Sequence, residues 1–220
     1  AAKPELMRKN LGLKMIRRAN SIGHHYFIAN LTSKDIASSV ALAVNEKHGI
    51  WYNPMTGEYH EATIGDKGIQ LNLKSGESRI LITSNKPVNE WKLGPKVKVG
   101  GKEAIAAADS KTIDLTENAW KLSFIEDAPK VDETFNLKGV KSWEGLSDKA
   151  KVMMGTGVYE TTIKLSKDDA KKQWAIDLGD VRESARVYIN NKYVGCAWAV
   201  PYILNCKDAL NKGKNTLRIK

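Results

Sequence analysis

Trp143, Trp198 and Tyr202 are the side chains whose type and placement suit a recognisable chemistry. A pyranose presents an apolar C–H face that stacks on an aromatic ring while its hydroxyls take hydrogen bonds. An indole or phenol outside the inward alternation of a strand is therefore a candidate carbohydrate contact. The same rings suit a domain interface, where large aromatics anchor packing. Trp198-Ala199-Val200-Pro201-Tyr202 places two such rings and a proline within five positions. Its proline lacks a backbone donor, so the chain should leave its sheet there and present an aromatic patch. Trp120, Tyr159 and Trp174 fall instead at core positions of alternating runs.

Hydrolysis of a glycosidic bond would need two carboxylates about 5 to 9.5 Å apart across the sugar. Asp132-Glu133, Asp168-Asp169 and Asp177 with Asp180 are the acids to consider. All lie in or beside turn-like segments, which reads as solvated turn acids, and no catalytic residue is assigned. The chain has no Gly-x-Ser-x-Gly elbow, phosphate-binding glycine loop, His-Glu-x-x-His pair or EF-hand loop. His24 and His25 are adjacent, and strand neighbours point to opposite faces, so they cannot share an ion without a bulge. Cys196 and Cys206 fit no Cys-x-x-Cys or zinc-ligand spacing. They are either small buried thiols or a bridge, if their strands are adjacent. No metal site is assigned.

The elements that must position these residues are strands. At 220 residues, with 42% hydrophobic and 27% charged content, the chain can fill two ordinary domains, and no stretch reaches the roughly 18 apolar residues of a membrane helix. The net charge of +10 is spread evenly: residues 1–110 hold 16 basic and 10 acidic groups, residues 111–220 hold 19 and 15. No basic run is longer than two residues, as at Arg17-Arg18 and Lys171-Lys172, so nucleic acid is excluded as a partner. The start, Ala1-Ala2-Lys3-Pro4, lacks an initiator Met and a signal-peptide core, which suggests a processed or truncated chain.

Pro4 to Asn10 suits a short helix. Strands follow at Leu13–Arg18 and His25–Leu31 around the turn Asn20-Ser21-Ile22-Gly23, then over Val40, Leu42 and Val44, Ile50–Tyr52, Tyr59–Ile64, Ile69–Leu73 and Arg79–Thr83. Alternation fails between Thr83 and Lys111. It resumes at Trp120, Leu122 and Phe124, then after an irregular stretch from Glu126 to Gly155 at Val158–Leu165, Trp174–Leu178, Ala185–Ile189 and Leu217–Ile219. Asn190-Asn191 suits a type I′ hairpin turn, because asparagine tolerates positive φ. The expected fold is all-β: an antiparallel β-sandwich over 1–84, a linker or strap over 85–111 and a second sandwich over 112–220.

Gly155-Thr156-Gly157-Val158-Tyr159, Trp174 to Gly179 and Ala185-Arg186-Val187-Tyr188-Ile189-Asn190-Asn191 through Gly195 resemble the sugar-binding-type, galactose-binding-like jelly roll of glycoside hydrolase family 2 and its relatives. Asn191 stands where that hairpin usually has glycine. Gly195 to Tyr202, with Trp198 and Pro201, leading into Leu210-x-x-Gly213-x-Asn215-x-Leu217, is similar to the carboxy-terminal region of family 106, the α-L-rhamnosidases. The likeness covers about 112–220 and is weaker over 12–84, where Tyr26 to Leu31 and Asn53 to Gly57 carry it.

The resemblance implies a non-catalytic accessory region whose partner is an upstream catalytic domain of the same parent chain, exported to the periplasm or cell surface of a bacterium. In the relatives the last strand continues further, so an excised fragment is expected. Plant or bacterial glycans are the implied ligands. No cofactor is implied, although such jelly rolls often hold a structural calcium through loop carbonyls, for which the acids around Asp177 and Asp180 are weak candidates. The alternatives are an autonomous carbohydrate-binding module and a self-contained hydrolase or lyase on a β-scaffold.

Overall fold

The computed structural model describes residues 3–54, 57, 59–91 and 111–220. The chain divides into two compact units, Ala1–Ser110 with Ala199–Pro201 and Lys111–Trp198 with Tyr202–Lys220. The strap expected over 85–111 lies outside the described residues from 92 to 110. No helix among the described residues is long and apolar enough to cross a membrane.

The first unit opens with α1 (Leu6–Leu11) and continues through β1 (Lys14–Ala19), β2 (Gly23–Ala29), β3 (Ile36–Val40), β4 (His48–Tyr52), β5 (Tyr59–Glu61), β6 (Ile64–Gly65), β7 (Gly68–Leu73) and β8 (Ser78–Ser84). All pairings are antiparallel, in a sheet ordered β1-β2-β8-β4-β5 and a smaller one ordered β3-β7-β6. The strand period of two turns Tyr26, Ile28 and Leu81 of the larger sheet and Ile69, Leu71 and Leu73 of the smaller one into a shared core with Met7 and Leu13. The β1–β2 turn is held by Asn20, whose Oδ1 accepts the N–H of Ile22 and of Gly23.

Two expected strands come out differently. The one read across Val40, Leu42 and Val44 ends at Val40. Ala43 N–H donates to Glu5 Oε2 at 2.9 Å instead of to a neighbouring strand, while Leu42 and Val44 still pack on the core. Glu5 is itself buried and paired with Arg17, and it accepts from the Tyr26 hydroxyl at 3.3 Å. Tyr59–Ile64 divides into β5 of one sheet and β6 of the other, with Ala62 buried at the crossing.

The second unit carries β9 (Ala119–Ala128), β10 (Phe135–Lys138), α2 (Asp148–Val152), β11 (Met154–Leu165), β12 (Ala175–Asp177), β13 (Ala185–Ile189), β14 (Lys192–Ala197), β15 (Ile203–Asn205) and β16 (Gly213–Ile219). Six strands pair antiparallel in the order β10-β9-β11-β16-β13-β14, and β12 pairs with β15. Trp120, Leu122, Leu137, Val187, Ile189 and Leu217 line the inner face of the large sheet and pack with Ile176 and Leu204 of the small one. This is again an all-β sandwich.

The stretch from Glu126 to Gly155, expected to be irregular, holds β10 and α2. Helix α2 starts because Ser147 Oγ accepts the Ala150 N–H at 3.2 Å, an N-cap of the ordinary kind. The β13–β14 turn is as expected, with φ of 52° at Asn190 and 64° at Asn191.

Candidate functional site

The three aromatic candidates are placed differently. Trp143 opens a short 3-10 turn, Trp143–Gly145, and packs half-buried against the core of its unit. Its ring stacks on Tyr159 with centroids 6.3 Å apart and meets Phe124 edge-on at 5.8 Å. A Cβ at Gly157 would lie 2.6 Å from its Cζ3, so the indole rests on backbone that only glycine leaves bare. Burial pushes the Tyr159 phenol up to about 12, and its hydroxyl donates to the Lys141 carbonyl at 2.8 Å. Trp198 directly follows β14 and is 60% exposed. Tyr202 is half-buried, and its carbonyl accepts the Leu178 N–H at 2.9 Å. Among the described residues no ring contact joins the three.

Most of the candidate acids have local partners. Asp169 is not the solvated turn acid the sequence suggests: it is 8% exposed, bonded to Lys111 at 2.7 Å and Lys172 at 3.0 Å, and it accepts the Ser166 hydroxyl at 2.8 Å. Those bonds hold its carboxyl well below the usual carboxylate range. Its backbone carbonyl accepts Trp174 Nε1–H at 2.8 Å, so the residue ties the segment before β12 to the start of the unit. Asp132 pairs with Lys130 and Asp180 with Arg182, each at 3.0 Å on the surface, and Asp177 accepts the Gly179 N–H. His24 Nδ1 lies 2.6 Å from Glu46 Oε1, whereas His25 faces Asn20 at 3.4 Å. Among the described residues no group of three or more His, Cys, Asp or Glu side chains could hold a metal. Cys196 and Cys206 are free, and burial pushes the Cys206 thiol up to about 11.

Sequence reasoning missed the outer face of the six-stranded sheet. The register runs Asn136, Lys121, Glu160, Arg218, Tyr188 and Tyr193 in one row across six strands. Alternation adds Lys214 on β16, Lys220 directly after it, Lys164 on β11 and Arg186 on β13 to the same face. Arg218 and Lys220 both lie over the Tyr188 ring, at 5.2 and 5.5 Å from its centroid. Tyr193 is 54% exposed, 5.4 Å from Tyr188. An open depression of about 330 Å³ lies on this sheet between Lys121, Asn136, Glu160, Thr162 and Thr216. Only the strand pairing brings these residues together, which is why their even spacing along the chain carried no signal.

No protein-family model matches the chain. A putative beta-glucuronidase of Formosa agariphila is 27% identical over 163 residues, which span 70% of this chain and 14% of that protein. The structure of a rhamnosidase from Novosphingobium sp. PP1Y superposes with a TM-score of 0.69 at 21% identity, covering 94% of this chain and 19% of that one. The chain is thus related, at a coarse level, to glycoside hydrolases and shares an all-β fold with part of one. It spans less than a fifth of either protein's length.

Proposed function

We propose that these two sandwiches are a non-catalytic accessory region of a longer glycoside hydrolase of the α-L-rhamnosidase, family 106 type, the second being a galactose-binding-like jelly roll. The observation that carries this is an uncovered apolar surface on the first sandwich. On the outer face of its five-stranded sheet Ile16 pairs with Phe27, and Phe27 with Ile80. Ile16 is 60% exposed, Phe27 46% and the adjoining Leu31 68%. Further along the same face Ile50 and Ile82 are covered by Trp91. Half of one apolar face is therefore capped and half is open, framed by Arg8 and Lys14. Contiguous apolar surface with a polar rim marks an interaction site. Its occupant in this reading is another domain of the same polypeptide, in keeping with the small share of each relative that the chain spans. Export to the periplasm or cell surface belongs to the same reading and rests on the resemblance alone.

The test is twofold. The purified chain should not turn over aryl α-L-rhamnosides or β-glucuronides, and Phe27→Asp should destabilise the complete reading frame more than the isolated chain. Turnover by the isolated chain would overturn the accessory role. Equal loss in both contexts would overturn the docking surface. An autonomous carbohydrate-binding module is the second reading, favoured by the exposed Trp198 ring. Tight binding of neutral glycans by the isolated chain, lost in Trp198→Ala, would select it.

A further inference from the structure

We infer that the outer face of the six-stranded sheet binds an acidic polysaccharide, with Arg218 and Arg186 taking the carboxylates of uronate residues and the exposed Tyr193 ring stacking on a sugar. The site is separate from Trp143, Trp198 and Tyr202 and stands independently of the accessory reading. Its first support is charge left uncompensated. Arg186 and Lys220 exchange backbone hydrogen bonds at 2.8 and 2.9 Å, which makes them direct cross-strand neighbours, and Lys164 stands opposite Lys214. Like charges directly opposite on one face destabilise a sheet, so two such pairs oppose stability unless something anionic lies over them.

Among the described residues none of Arg186, Arg218, Lys214 or Lys220 has a carboxylate partner. Glu160 is opposite Arg218 in the register, but the two form no ion pair. The second support is an orphan donor: Arg218 Nε is shielded from solvent and has no acceptor. A shielded donor without a partner is costly, and a guanidinium matches a carboxylate through two parallel hydrogen bonds.

The third support separates sugar from other polyanions. The Tyr188–Tyr193 pair lies at one end of the row, and the middle of the face carries Thr162 opposite Thr216, with Asn136 beyond Lys121. Hydroxyls and an amide suit the hydroxyls of a pyranose chain. A single-stranded nucleic acid is instead held by aromatic platforms repeated along its path. Six strands at about 4.8 Å spacing make the row roughly 24 Å long, room for about five pyranose units.

Polygalacturonate, its fully methyl-esterified form and a thymidine oligonucleotide serve as probes of the whole chain, by isothermal titration at low and moderate salt. Polygalacturonate should bind saturably, and esterification, which keeps the backbone and removes the charge, should weaken binding at least tenfold. The oligonucleotide should bind at least tenfold more weakly than polygalacturonate at equal salt. Arg218→Gln and, separately, Tyr193→Ala should each raise the polygalacturonate Kd about fivefold or more. Lys9→Gln, an exposed charge on the first sandwich, should leave it unchanged. Tyr193 is more than half exposed, so its variant stays folded even if Arg218→Gln does not. Absence of saturable binding, equal binding of the esterified polymer or the oligonucleotide, or an equal loss with Lys9→Gln would each overturn the assignment.

Discussion

Trp143 and Trp198 are the same residue in the same unit, and truncating each should have very different consequences. Trp198 is 60% exposed, so about 40% of its surface is covered. For a side chain of about 250 Å² that is roughly 100 Å², or about 2.5 kcal/mol at ~25 cal/mol per Å². Alanine keeps part of that contact and an extended-chain reference overstates the rest, leaving about 1 to 2 kcal/mol for Trp198→Ala. Trp143 packs on the core, stacks on Tyr159 and meets Phe124 edge-on, so Trp143→Ala falls in the range for a large aromatic, about 3 to 5 kcal/mol. For a domain of roughly 100 residues each kcal/mol moves Tm by about 4 °C. Scanning calorimetry of the second unit's transition should therefore fall by roughly 12 to 20 °C for Trp143→Ala and by about 4 to 8 °C for Trp198→Ala. A loss of about 3 kcal/mol or more from Trp198→Ala would place that ring in the core and refute the reasoning. A loss under about 1 kcal/mol from Trp143→Ala would do the same for its packing.

Other perturbations address the supports around these rings. Gly157→Ala would press a methyl to 2.6 Å from the Trp143 ring, so it should cost about 1 to 3 kcal/mol in urea unfolding, and pairing it with Trp143→Ala should relieve most of that cost. Asn191→Val places a β-branched residue at a φ of 64° and should cost about 1 to 2 kcal/mol, whereas Asn191→Gly should be neutral or slightly stabilising by the same assay. The Asp169 carboxyl is depressed by Lys111, Lys172 and Ser166, so its contribution is complete above about pH 4, the unfolded carboxylate value, and is lost as pH falls through the lower folded value. Asp169→Asn should lower stability at neutral pH and flatten the acid limb of a urea midpoint series, and an unchanged acid limb would show that the strut does not form.

Wherever one face of a strand meets the core, its alternation is readable, which is why β2, β7, β9, β11 and β13 are all visible in the residues. The failures have specific physical causes. Val40, Leu42 and Val44 alternate, the first buried and the other two partly so, yet the backbone at Ala43 bonds to a carboxylate from 38 positions earlier, which no local pattern reveals. Strand β10 is four residues long with Phe135 and Leu137 as its only inward side chains, too short for a period to emerge. Helix α2 did have a local signal in Ser147 followed by Asp148, an N-cap and an acidic first turn. Its five residues hold one buried side chain, Ala150, so no amphipathic stripe accompanied the cap.

The same limit governs the candidate site. Counting charges along the chain finds no cluster, because a strand sends successive residues to opposite faces and a sheet then aligns residues that are far apart in sequence. Lys121, Glu160, Arg186 and Arg218 are separated by dozens of positions, yet they occupy neighbouring strands of one surface. A basic stripe on a helix repeats every three or four residues and can be read directly. A basic face on a sheet repeats every two residues within a strand and reaches its next strand only after a whole excursion of chain. On β16 and the residue that follows it the outward positions are Lys214, Thr216, Arg218 and Lys220, and the inward ones between them are Asn215, Leu217 and Ile219. That one strand combines a buried core edge with a line of cations. The core requirement accounts for Leu217 and Ile219, but it leaves the outward residues undetermined. Arg218 and Lys220 gain the Tyr188 ring in the fold, but Lys220 opposite Arg186 and Lys214 opposite Lys164 oppose it, so these like-charge pairs are the part of the sequence that stability leaves unexplained and that the inferred anionic ligand would account for.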